Sequence, residues 1–249
     1  MITADLSGKR VLVTGAATGI GLATARLMAL SGAQVALNHL PGDAAGPDRV
    51  AELPGAVAAP GDISDPADAA RMVGDAVGAL GGLDLLVNNA ATPGLPTPVA
   101  PSELDAMSEE LWSAVLQTNL VGTFRCVRAA AAPLADAGGA VVNVASIAGM
   151  GRQGSSTAYS ASKAGVISLT RSLARGLAPR VRVNAVAPGQ TSTPWTEAWP
   201  DESKAKAVAL SVLNRRVAPE DVAEAILYLG FGAAAVTGHV LVVDAGMTL

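Results

Sequence analysis

The sequence predicts an α/β chain with a doubly wound, three-layer fold, in which a parallel sheet of seven strands is flanked by helices. Three observations carry this. Short apolar, β-branched runs alternate with longer segments of helical apolar spacing along the chain, the pattern of parallel strands joined by crossover helices. A glycine cluster, Gly15-Ala16-Ala17-Thr18-Gly19-Ile20-Gly21, separates the first such run from the first helix. Small polar residues follow several later strand candidates, at the end where open α/β sheets hold ligands. No linker, repeat or low-complexity run interrupts the pattern, so one domain is expected over residues 1–249.

The first strand is expected at 10–14 and the first helix at 22–30. Strand, glycine turn and helix together are the context in which a glycine cluster means phosphate binding, with a plain tight turn as the alternative. Gly15 permits the turn, Gly19 admits backbone close to a pyrophosphate, and Gly21 lets the helix pack on the sheet. The second strand, 33–38, leads to His39 and Leu40, where the adenosine ribose is read. Asn38, His39 and Leu40 are neither clearly acidic nor basic, and Ala17 and Thr18 add no positive charge, so NAD is favoured slightly over NADP.

A short helix follows at 47–53 and a third strand at 56–59, ending near Asp62 and Ile63. Asp62 suits either an adenine contact or the cap of the helix beginning near Pro66. After the helix at 68–80, a fourth strand at 83–87 runs into Asn88-Asn89-Ala90-Ala91, whose amides can hold a sheet edge open for a ligand or form an Asx-type turn. The proline-bearing loop 92–102 is extended. One long helix is expected from 108 to 132, with Asn119 in its interior, where a polar task is needed to justify a poor helix former.

The fifth strand, 140–144, leads to Ser146. A helix then carries Tyr159 and Lys163 to about 177. Four residues apart, the two project from one face, and a neighbouring ammonium favours the phenolate, making Tyr159 a usable general acid or base. The sixth strand, 181–186, ends in Pro188-Gly189. A polar, mixed segment follows to 212, a substrate loop of about 190–215, with Trp195 and Trp199 as lid or anchor. A helix at 219–229 and a seventh strand at 239–243 close the chain.

Composition excludes several function classes. Half the residues are hydrophobic but only 3% are aromatic, so the core must be built from Ala, Val, Leu and Ile. A net charge of −4 argues against a nucleic-acid partner, and no apolar run approaches the ~18 residues of a membrane span. The start Met1-Ile2-Thr3-Ala4-Asp5 lacks the layout of a signal peptide, and the lone Cys126 suits a reducing compartment, so a cytoplasmic location is expected.

Four motifs occur in order: Thr14-Gly15-x3-Gly19-x-Gly21, Asn88-Asn89-Ala90, Ser146, and Tyr159-x3-Lys163, with Pro188-Gly189 and the tail Thr237–Asp244 agreeing. On these the chain resembles the short-chain dehydrogenase/reductase family, in the single-domain branch of 3-oxoacyl-carrier-protein reductases and glucose dehydrogenases. The resemblance implies an NAD(P)-dependent oxidoreductase acting on a secondary alcohol or ketone. Tyr159 would be the acid or base, and Lys163 would tune it and bind ribose. Ser146 would hold the substrate oxygen, and Asn119 would support a water-mediated proton relay. It places Gly15, Thr18, Gly19, Ile20, Gly21, Asn38, His39, Leu40, Asp62, Ile63, Asn88, Ala90, Pro188, Gly189, Thr191 and Thr193 at the cofactor, with no metal. Ala91 stands where the family has glycine, Thr191 where it more often has an aliphatic residue, and the 92–102 loop is longer than in simple members. A homodimer or tetramer through the helices of Asn119 and Tyr159 is also implied, with Ala161, Ala164, Gly165, Val166 and Leu169 at the contact. Arg152, Arg215 and Arg216 leave a carrier-protein partner open. The competing reading is a catalytically idle cofactor-binding sensor or scaffold on the same fold.

Overall fold

The computed structural model describes residues 4–249; the expectation for the first three residues lies outside them. Seven strands form one sheet: β1 (Arg10–Val13), β2 (Gln34–His39), β3 (Val57–Pro60), β4 (Leu85–Asn88), β5 (Ala140–Val144), β6 (Arg182–Pro188) and β7 (Val240–Val243). Their spatial order is β3-β2-β1-β4-β5-β6-β7, and every neighbouring pair is parallel.

The two-residue repeat of a strand sends alternate side chains to opposite faces. Val11, Val13, Val35, Leu37, Leu85 and Val87 pack on one face against α1 (Gly19–Leu30) and α9 (Pro219–Leu227). Leu12, Ala36, Leu86 and Val141 pack on the other, against α3 (Pro66–Leu80), α5 (Thr123–Ala137) and α6 (Thr157–Leu177). A strand covered on both faces must be apolar throughout, which is why these runs do not alternate. Because the chain winds one way from β1 and the other way from β4, a crevice opens between the C-terminal ends of these two strands.

Several boundaries differ from expectation. His39 is the last residue of β2, not a loop residue, and α1 begins at Gly19, so the glycine turn supplies its first residues. The short helix α2 is Ala45–Ala51. Asp62 does not cap α3. Asp65 does, accepting from the N–H groups of Ala67 and Asp68, while Asp62 accepts from the Ser64 N–H. The expected helix at 108–132 is three pieces: α4 (Glu109–Leu116), a π-helical turn (Gln117–Gly122) and α5. The mixed segment after β6 folds into two short helices, α7 (Pro194–Glu197) and α8 (Asp201–Leu210). No helix among the described residues is long and apolar enough to cross a membrane.

Candidate active site

A cleft of about 1020 Å³ runs across the C-terminal edge of the sheet, at the upper end of the roughly 300–1,000 Å³ typical of small-molecule sites. It has an end formed by β1, β2 and α1, and an end formed by α7 and α8, with Ser146, Tyr159 and Lys163 between them.

The first end is made of backbone held by committed polar groups. Gly15 and Gly19 have φ of 60° and 55°, the left-handed region where a side chain is strained. A methyl on Gly15 would stand 2.8 Å from Ala90 Cα, and one on Gly21 would stand 2.3 Å from the Gly15 carbonyl oxygen. Thr18, at the N-terminus of α1, makes no side-chain capping bond, so the first-turn N–H groups and the positive end of the helix dipole are available to an anion. This glycine cradle fits the pyrophosphate of a dinucleotide. Asn38 is engaged elsewhere: its Oδ1 accepts from the Gly15 N–H at 2.9 Å, and its Nδ2 donates to the carbonyls of Ala59 and Gly61. It ties three loops together, which leaves it little capacity to read a ribose.

Asn88 and Asn89 divide the roles expected of one motif. Asn89 Nδ2 donates to the carbonyls of Thr14 and Gly15, and Thr14 Oγ1 accepts from the N–H groups of Asn89 and Ala90. Asn88 does not line the cleft. It sits opposite Asn143 in the sheet and donates to that side chain at 2.9 Å, while Asn143 donates to Thr170 on α6. The expected cofactor contact at Asn88 is therefore a buried link between sheet and helix, and Asn89 is the cleft residue that motif spacing alone did not single out. The alternation of strand side chains was the signal that separates them. Gly21 also lies behind the cleft wall, where it permits the helix approach. Of the remaining expected cofactor residues, Gly15, Thr18, Gly19, Ile20, His39, Leu40, Asp62, Ile63, Ala90, Pro188, Gly189, Thr191 and Thr193 all line the cleft.

The reactive groups converge at the middle. Ser146 follows β5, its Oγ accepting from the Ala148 N–H. Burial raises the Tyr159 phenol and the nearby Ser146 side chain lowers it; burial wins and holds the phenol up at about 12. Lys163 is buried, 3% exposed, and burial brings its ammonium down to about 8. Its Nζ donates to the Val144 carbonyl at 2.7 Å and stands 5.6 Å from the Tyr159 ring centroid. The expectation that lysine draws the phenol toward neutrality is thus not met in this arrangement. The ammonium is held by the Val144 carbonyl, and burial is the dominant influence on both groups.

Asn119 lies in the π turn and does not line the cleft. Its Oδ1 accepts from the Thr92 N–H at 2.8 Å, and its Nδ2 donates to the Thr92 carbonyl and to Ser162 Oγ. Ser162 in turn donates to the Tyr159 carbonyl. Asn119 thereby fastens the loop after β4 to the helix of Tyr159. The extra residue of a π turn aims its side chain off the regular helical path.

The second end is built from aromatic rings. Trp195 meets Tyr159 edge-on, with centroids 5.6 Å apart at 84°. The indole N–H groups of Trp195 and Trp199 are buried without partners among the described residues. Arg216 holds this segment in place, donating to Glu197 Oε1, to Thr196 Oγ1 and to the Thr191 carbonyl. Arg215 pairs with Asp221, and Arg152 donates to the Met247 carbonyl, so the three arginines are engaged within the chain.

The chain as a whole is similar to known proteins. A family model described as enoyl-(acyl carrier protein) reductase matches residues 15–248. Ketoacyl reductase 2 of the granaticin polyketide synthase of Streptomyces violaceoruber is 42% identical over 244 residues, 96% of this chain and 95% of that protein. Cis-4-hydroxycyclohexanecarboxylate dehydrogenase of Sinomonas cyclohexanicum is also 42% identical, over 95% of each chain. A short-chain dehydrogenase/reductase structure from Burkholderia xenovorans superposes with a TM-score of 0.86 at 31% identity, covering 97% of this chain and 98% of that one.

Proposed function

The chain belongs to the short-chain dehydrogenase/reductase family, oxidoreductases that act on hydroxyl and keto groups with NAD(P)(H), and we propose that Ser146, Tyr159 and Lys163 carry this chemistry on a secondary alcohol or ketone. The observation that carries the reading is that Ser146, Tyr159 and Lys163 line one cleft together with the glycine cradle, Lys163 Nζ standing 5.6 Å from the Tyr159 ring centroid. The backbone of Gly15, Thr18, Gly19 and Ile20 would hold the pyrophosphate, and Thr191 and Thr193 would border the nicotinamide. When bound, that cofactor supplies or takes up the hydride.

The chain's own residues manage the proton. Ser146 donates to the substrate oxygen, stabilising negative charge where it develops. Tyr159 gives its proton to that oxygen in reduction and takes it back in oxidation. Lys163, moving from the Val144 carbonyl toward a ribose hydroxyl, brings positive charge to the phenol and favours its ionised form. Asn119 supports proton relay by holding the Tyr159 helix through Ser162.

The rings of Trp195 and Trp199 suit a compact apolar body behind the reacting carbon, in keeping with the keto and ring-alcohol relatives. The slight preference for NAD stands on the absence of any lysine or arginine among the cleft residues around β2. Assembly as a homo-oligomer through the Asn119 and Tyr159 helices remains part of this proposal, but with a smaller surface. Val166 is buried in the chain's own core, and Gly165 packs on Leu120, leaving Ala161 and Ala164 exposed and Leu169 half-buried.

Titration with NADH and NADPH, followed by an alcohol and ketone panel, tests the reading. Tyr159→Phe should lower kcat by at least about a thousandfold, within the range for loss of a general acid, while cofactor affinity stays within about twofold. Retained turnover would refute the assignment of Tyr159.

A further inference from the structure

The α7–α8 end of the cleft carries charges that the reaction does not use. Asp43 and Asp62 line the β2 end and Lys163 the centre, while Arg152, Glu202 and Lys206 line the α8 end. Helix α8 turns Glu202, Ser203, Lys206, Ala207 and Leu210 to the cleft, a spacing of i, i+1, i+4, i+5 and i+8 that is one face of a helix. Lys206 stands in the middle of that face.

Neither cation has a counter-ion among the described residues. Glu202 lies one turn before Lys206, the order that favours a helical ion pair, yet the pair formed within α8 is Lys204 with Asp201, and Lys206 meets no carboxylate. Arg152 donates from Nη2 to the Met247 carbonyl at 2.9 Å. That neutral acceptor fixes the guanidinium and leaves its other N–H groups without partners among the described residues.

Both cations are tied to the reacting groups. Ser146 caps the turn Ile147–Met150, and Gly151, at φ 93°, reverses the chain so that the Arg152 N–H returns to the Ile147 carbonyl. The C-terminal tail joins this turn to α8, since Ser211, directly after α8, donates to the Ala245 carbonyl while Met247 accepts from Arg152. Apolar side chains share this end: Trp195 meets Tyr159 edge-on, and Trp199, Leu210 and Met247 line the wall. Two cations and one carboxylate leave a single net positive charge here, which matches a monoanion and not a phosphate dianion. A planar carboxylate also fits the fork of a guanidinium.

We propose that Arg152 and Lys206 form a carboxylate subsite, so that the substrate is an oxo acid or hydroxy acid whose reacting carbon sits at Tyr159 and whose carboxylate, across an apolar body, ends at these two cations. The inference rests on the oxidoreductase reading and names the substrate class of that site. Both side chains are exposed, so screening limits their pull on a distant anion. A substrate that covers them excludes water and strengthens the attraction.

Steady-state reduction of oxo acids of graded length, each against its methyl ester, tests this, because the ester keeps the shape and removes the charge. The best acid should exceed its ester in kcat/KM by about tenfold at low salt, the scale of a charge-assisted hydrogen bond at an exposed site, and the ratio should shrink as salt is added. Arg152→Gln keeps a donor for the Met247 carbonyl and removes the charge. It and Lys206→Gln should each bring the ratio to within about threefold, chiefly by raising KM for the acid. Arg152→Lys should retain most of the preference, and Lys206→Glu should turn it toward the ester. Quenching of tryptophan fluorescence by the saturated, non-reacting acid and its ester reads the same preference without turnover. An ester as good as its acid at every length, or an unchanged ratio in both Gln variants, would overturn the subsite. A coenzyme A thioester preferred over its N-acetylcysteamine thioester, with that preference lost in both Gln variants and none for acid over ester, would overturn the carboxylate in favour of a phosphate-bearing substrate. No turnover of any acid or ester by a protein that binds NADH or NADPH would overturn the substrate class. No turnover and no binding of either nucleotide would overturn the oxidoreductase reading beneath it.

Discussion

The two ends of the cleft are built on opposite plans. At the β1–β2 end, the ligand-facing surface is mainly backbone, and the polar side chains around it are committed: Asn38, Asn89 and Thr14 bond the loops to one another. At the α7–α8 end, the surface is side chains on two short helices, with the indole N–H groups of Trp195 and Trp199 unpartnered among the described residues. The first plan would suit a ligand of constant shape, since backbone positions cannot be varied one at a time. The second would suit a ligand that differs between relatives, since each ring can change without disturbing the sheet.

Three substitutions would break or sharpen this contrast. The largest effect is expected for Gly21→Ala. Its methyl would overlap the Gly15 carbonyl and the Asn89 amide, so α1 must move away from the cradle. We expect nucleotide affinity to fall by about a hundredfold and stability by about 1–3 kcal/mol, the usual cost of overpacking, measured by titration and urea denaturation. Normal nucleotide affinity would mean that the cradle is not rigid.

Trp195→Ala comes next. It removes the ring set edge-on to Tyr159 and opens the phenol to water. The expected result is a rise in KM of about tenfold for the best alcohol or ketone, comparable to losing an aromatic pair and its burial, with NADH affinity unchanged. A parallel loss of nucleotide affinity would show the two ends to be coupled.

The smallest effect concerns the group where the ends meet. Burial lowers Lys163 to about 8 from its ordinary 10.5, so between these values the unfolded chain binds more protons than the folded one. Stability contributed by this group therefore rises with pH across that window, and below about pH 8 the folded state bears the full cost of a buried ammonium. Lys163→Met should raise stability at pH 7 by about 1–2 kcal/mol, net of the lost Val144 hydrogen bond. The advantage should shrink as pH climbs from 8 toward 10.5, read from melts at several pH values. Tyr159 works in the other direction: its phenol is raised above the ordinary value of 10.0 to about 12, so its contribution is full below 10 and fades above it. A Lys163→Met protein less stable than wild type at every pH would argue that the ammonium stabilises the fold.

The alternating pattern of strands and helices, the glycine cradle and the Tyr159–Lys163 pair were legible because each depends on local spacing: period two, period 3.6, or a turn only glycine can make. The split of the helix at Asn119 was legible only as an anomaly. An interior asparagine signals a polar task, but the π turn exists because Thr92 and Ser162, 27 and 43 residues away, bond its amide. The helices α7 and α8 escaped for a different reason. Their few buried residues, Thr196 and Ala207, leave no apolar stripe to read, and tertiary anchors such as Arg216 hold the segment instead.

Sequence alone therefore determined the seven strands and most of the helices between them, their order, and which side chains could do chemistry, because hydrophobic period and backbone sterics act between near neighbours. Tertiary structure decided which of those side chains meet. It turned Asn88 toward Asn143, committed Asn38 to the loops, and set burial against charge at Tyr159 and Lys163. Such outcomes depend on strand register and desolvation, which belong to the packed chain and to no single stretch of it.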